Sequence, residues 1–142
     1  MLNHQVLTTK CVLVIDQDLP LGVMANTIAV LSLSLGKLFP EMIGDNFNDQ
    51  SGNMHHGITT IPIPILKAAG SLLKDMRQAI QAYTPNVTII DLIHATRTTK
   101  SYADYVQNFT HTESQNLEYL GLALYGEKKS INKFTGSLGL LR

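Results

Sequence analysis

Residues 10–22, KCVLVIDQDLPLG, are the stretch on which the fold turns. Four successive apolar residues, Val12, Leu13, Val14 and Ile15, lack the alternation of a half-solvated strand. They predict a strand covered on both faces. Pro20 then suits the start of a helix, because its missing N–H would be an orphan there anyway. From Leu21 to Leu35 apolar side chains project almost all round the helical wheel, so this helix is expected to be buried rather than merely docked. Gly36 and Pro40 stop it.

Working outward, residues 41–57 (EMIGDNFNDQSGNMHHG) are dense in turn formers and predict a loop or short hairpin. Ile58–Leu66 alternates, with Ile61, Ile63 and Ile65 on one face and Pro62 and Pro64 on the other. Two prolines so spaced strip donors from one edge, which predicts an edge strand. Ala69, Leu72, Leu73, Met76, Ala79, Ile80 and Tyr83 recur at helical spacing, and Pro85 ends that amphipathic helix. Val87–Ile93 reads as a third strand. Tyr102, Tyr105, Val106 and Phe109 mark another helix, opened by Ser101 with Asp104 three residues on. Leu117–Tyr125 gives a fourth strand, and a short helix over Lys128–Phe134 stops at Gly136. This βα order predicts one α/β domain over 1–142, a three-layer α/β/α sandwich around a mixed, mostly parallel four-stranded sheet.

The chain has 142 residues, 44% of them hydrophobic and 15% charged, which argues for a compact core and against disorder. Eleven acids balance eleven bases, so no global field draws it to nucleic acid or anionic lipid. Nucleic acid is therefore a remote partner, with only the Lys128, Lys129 and Lys133 cluster placed to meet phosphate; a solvated helix face is the plainer reading. The single cysteine, Cys11, sits in the apolar strand and is expected to be a buried thiol. Residues 1–10 lack a basic region followed by an apolar stretch, so no secretory signal is expected. Leu19–Gly36 is free of charge but interrupted by Pro20, Asn26, Thr27, Ser32 and Ser34. It is expected to be a core helix with no membrane as partner, which leaves a cytoplasmic location.

The two ends of the chain resemble a known family, the type 2 peptidyl-tRNA hydrolases. Lys10, Val12, Val14, Asp18, Leu19, Gly22 and Ala25 are similar to its opening strand and helix. Gly126, Ile131, Asn132, Phe134, Thr135, Gly136, Leu138 and Leu140 are similar to its C-terminal segment. Over its whole length the chain resembles the bacterial family called domain of unknown function 2000. The carriers are KCVLVIDQDLPLG, Asn26, the His56-Gly57-Ile58 step, Tyr102 with Tyr105, and YLGLALYG before the lysine-rich ending. That resemblance implies a hydrolase-like fold whose last strand runs antiparallel to the others. It does not carry the activity over. Val23 and Val30 stand at the positions of the hydrolase lysine and helical histidine, and a valine neither donates a proton nor pairs with phosphate. The hydrolase Asp-Ala-Gly-x-Thr-Gln loop is replaced by DLIHATRTTKSYADYVQNF, in which Asp91 alone corresponds.

In open α/β sheets ligands sit beyond the C-terminal ends of parallel strands. There the sequence gathers Asp16 and Asp18, the helix start at Gly22, Asn26 one turn inside, and Asp91, His94 and Arg97. Helix amides favour an anion, Arg97 suits a carboxylate or phosphate, and Asp91 beside His94 suits acid–base work. The competing reading has Asp18 and Asp91 capping turns and Arg97 pairing with one of them. Asn26, an amide in an apolar helix, must find partners in either case. His55, His56, Asp45, Asp49 and His111 lack metal-ligand spacing, and no metal or cofactor is expected. The function expected is a ligand-binding or regulatory domain taking a small anionic metabolite or nucleotide end at Asp18, Gly22, Asn26, Asp91, His94 and Arg97. A hydrolase of an ester or amide with His94 as base is the first alternative, and a structural homodimer the second.

Overall fold

The computed structural model describes residues 8–142. In chain order the elements are β1 (Thr9–Asp16), α1 (Leu21–Leu38), β2 (Phe47–Asn48), β3 (Met54–His55), β4 (Ile65–Ala68) and α2 (Gly70–Gln81). They continue with β5 (Val87–Ile93), α3 (Tyr102–Thr110), β6 (Tyr119–Glu127) and α4 (Lys128–Thr135). A short 3-10 turn, His94–Arg97, follows β5 directly. The expected loop at 41–57 holds the small β2–β3 hairpin.

The main sheet has the order β4-β1-β6-β5. Its alternation splits the core in two. Leu13 and Ile15 of β1 pack with Leu31 and Leu35 of α1, while Val12 and Val14 pack with Leu73, Met76 and Ile80 of α2 and Ile131 of α4. Helices thus cover both faces, as the apolar run in β1 requires.

The sheet is mixed, but it is not mostly parallel. Only β1 and β4 pair in parallel, whereas β6 runs antiparallel to both β1 and β5. The βα order alone would make every strand a parallel neighbour, but β6 runs antiparallel, as the family resemblance implied for the last strand. Apolar on both faces, β6 is drawn to the centre, and there it enters from the opposite end. Gly126, at φ +152°, lets β6 press against the Asn86 carbonyl, which accepts the Glu127 N–H at 3.0 Å.

Two other expectations change. The edge strand starts at Ile65, after the prolines, because neither Pro62 nor Pro64 has an N–H to give; Ile61, Ile63 and Ile65 still face the α1 side of the core. And α1 is docked, not buried all round. Only Thr27, Leu31 and Leu35 are buried, while Leu21 and Leu33 are 83% and 79% exposed. By length and composition alone α1 could cross a membrane, with mean hydropathy 1.5.

Candidate functional site: a polar cavity at the strand ends

The strand periodicity of β1 sends Val12 and Val14 into the α2-side core and puts Asp16 next on the same face, at the strand's last position. Asp16 is only 8% exposed. Its Oδ1 accepts the Asp18 N–H at 3.0 Å, closing a turn, while Oδ2 accepts no hydrogen bond from any described residue. Among the described residues no buried side-chain nitrogen or oxygen lacks a partner, so Oδ2 must be reached from outside. It lies against the start of α2, where a Cβ on Gly70 would sit 3.2 Å away. No side chain caps α2.

Asp16 lines a cavity of about 350 Å³ together with Gly70, Ser71, Lys74, His94, Leu117, Glu118 and Tyr119. Ser71 and Lys74 come from the first turns of α2. His94 is pinned by its own N–H, which donates to the Glu118 carbonyl at 2.9 Å. Burial holds the Tyr119 hydroxyl above the usual phenol range. The cavity sits beyond the C-terminal ends of β1 and β4, where sequence logic placed a ligand.

The charges here do not pair with one another. The ion pairs among the described residues are His55 with Asp49 and Arg77 with Asp91, each at 2.9 Å. Lys74, Asp16 and Glu118 belong to neither.

A second, more apolar cavity of about 500 Å³ lies between α1 and α3, lined by Val30, Ser34, Asp91, Leu92, Lys100, Tyr102 and Tyr105 among others. It brings together Val30 of α1 and Asp91 of β5.

The residues singled out in the sequence are scattered. Of them, Asp16 and His94 alone line the strand-end cavity. Asp91 is bound by the Arg77 guanidinium through Nε at 2.9 Å and not by Arg97, which is exposed. Asp18 is exposed and contributes its N–H, not its carboxylate, to the turn. Gly22 has no neighbour within 4 Å of a notional Cβ. Asn26 is exposed, so it needs no protein partner; Thr27 is the buried polar residue of α1, with its hydroxyl donating to the Val23 carbonyl at 2.8 Å. Asp16 was visible as a strand-end acid. Ser71, Lys74, Glu118 and Tyr119 gave no signal, since they join the site only through the docking of α2 and β6.

Among the described residues no three His, Cys, Asp or Glu groups come together to hold a metal. Asp49 and His55 instead brace the β2–β3 hairpin, and the His55 bond is the first cause holding the Asp49 carboxyl below its usual range. Of the lysine cluster, Lys133 donates to the Tyr83 hydroxyl at 2.7 Å, while Lys128 and Lys129 are exposed.

Fold and site together define a mixed α/β domain with a polar cavity at its strand ends. The chain belongs to the family described as Protein of unknown function (DUF2000), whose model matches residues 9–142. It is similar to a solved structure of a protein of unknown function from Agrobacterium tumefaciens strain C58, with a TM-score of 0.85 and 23% identity over 94% of this chain and 97% of that one. At that identity the likeness shows the fold alone. No curated protein matches the chain.

Proposed function

We propose that this chain is a small-molecule-binding domain, with an anionic ligand group held by Lys74 in the strand-end cavity. The observation that carries the reading is the nearly buried Asp16 on the cavity wall, whose Oδ2 has no donor among the described residues, beside Lys74 and Glu118, which form no ion pair among them. Reached from outside, Oδ2 is free to accept a donor from a bound molecule. The site thus shifts by one strand end from the Asp18, Asn26, Asp91 and Arg97 grouping, keeping His94. Thermal shift against a panel of small carboxylates and phosphates tests it. A hit should stabilise the protein, and Lys74→Ala should abolish the shift without moving the melting temperature of the free protein. If no acid stabilises the protein, or Lys74→Ala leaves the shift intact, the reading fails.

A second reading has one observation in its favour: His94 and Asp16 line the same cavity. An imidazole and a carboxylate so placed support hydrolysis of an ester or amide, with Asp16 in the orienting role and Asp91 left to Arg77. Turnover of an aminoacyl or simple ester substrate that His94→Ala abolishes would establish it. A structural homodimer finds less support, because the outer edges of β4 and β5 are already partly satisfied. Gly139 and Leu141 pair with Lys67 and Ile65 at one edge, and Tyr105 meets Ile93 at the other.

A further inference from the structure

We infer that the ligand of this cavity is a zwitterion of amino-acid type, its ammonium on Asp16 and Glu118 and its carboxylate on Lys74; the inference rests on the binding reading above. The argument is one of sign. A simple anion drawn to Lys74 would share the cavity with the Asp16 and Glu118 carboxylates, and a simple cation would share it with Lys74. Neither is satisfied by all three. A molecule carrying both charges a few bonds apart meets each with its opposite, and Asp16 Oδ2 gains the donor it lacks. The start of α2 at Gly70 lies against Asp16 on the cavity wall. Ser71 and His94 supply further hydrogen-bonding groups in the cavity. A volume of about 350 Å³ is small for a ligand site and suits a single amino acid better than a nucleotide.

Titration calorimetry on the full chain tests it, with amino acids of each side-chain class set against their N-acetyl and methyl-ester derivatives. At least one unblocked amino acid should bind, and masking either charged end should weaken it by at least about tenfold. Glu118→Gln, at an exposed position that leaves folding intact, and Asp16→Asn should both shrink the preference for the free ammonium over the acetylated form. If the acetylated form binds as tightly as its parent, the zwitterion inference falls while the anion reading stands. If the methyl ester binds as tightly, both fall. If simple acids bind and no amino acid does, only the present inference is lost; if nothing binds, both are.

Discussion

At the scale of single residues, burial decides which chemistry is switched on. Cys11 and Asp16 stand five positions apart on β1, and both are nearly inaccessible. The thiol loses its reactivity there, since burial pushes it up to about 11 and little thiolate exists at neutral pH. The Asp16 carboxylate instead lines the strand-end cavity, where Oδ2 accepts no hydrogen bond from any described residue. Native protein should therefore be inert to Ellman's reagent near neutrality and release one equivalent of chromophore in denaturant, matching its single cysteine. Fast labelling of the folded chain would show that the strand opens far more readily than its packing implies. The expectation of a buried thiol was legible in four apolar neighbours. The exposed Asn26 was not, because a helix made apolar on nearly all sides does not reveal which side meets the sheet.

At the scale of elements, local rules held where the signal was local. Ser101 accepts the Asp104 N–H at 3.1 Å and opens α3 as the sequence pattern predicted. The residues Val87–Ile93 form β5 as read. What α3 does once formed was not legible. It lies along the β5 edge, and the Tyr105 hydroxyl accepts the Ile93 N–H at 3.1 Å, closing a position that edge pairing would otherwise leave open. Tyr105→Phe should cost about 1 kcal/mol in urea denaturation, the worth of one hydrogen bond whose donor is left behind. The pH dependence has a definite sign. Burial raises the folded Tyr105 pKa above the ordinary 10.0, so the neutral phenol is the form that folding favours. Its contribution is complete below about pH 10 and declines as pH rises through the folded value. Stability that rises in alkali, or Tyr105→Phe matching wild type, would remove Tyr105 from this role.

At the scale of the whole molecule, layer spacing and strand order set the result. Gly121 of β6 sits where α1 crosses the sheet, and a Cβ there would lie 2.9 Å from both Ile15 Cδ1 and Thr27 Cγ2. Gly121→Ala should cost about 1–3 kcal/mol by wedging the helix from the sheet, read as a lower urea midpoint. A neutral substitution would mean that α1 can shift outward without loss, which the exposed Leu21 and Leu33 would then help explain. What the sequence determined alone was the main helices and strands and the core-facing stripe of α2, since each follows from periodicity within a dozen residues. Only the tertiary structure decided that β6 lies between β1 and β5, that α1 leaves an apolar side uncovered, and that Asp16, Lys74, His94 and Glu118 share a cavity. Those outcomes depend on contacts between residues far apart in the chain, and no local pattern encodes which distant partner a face will meet.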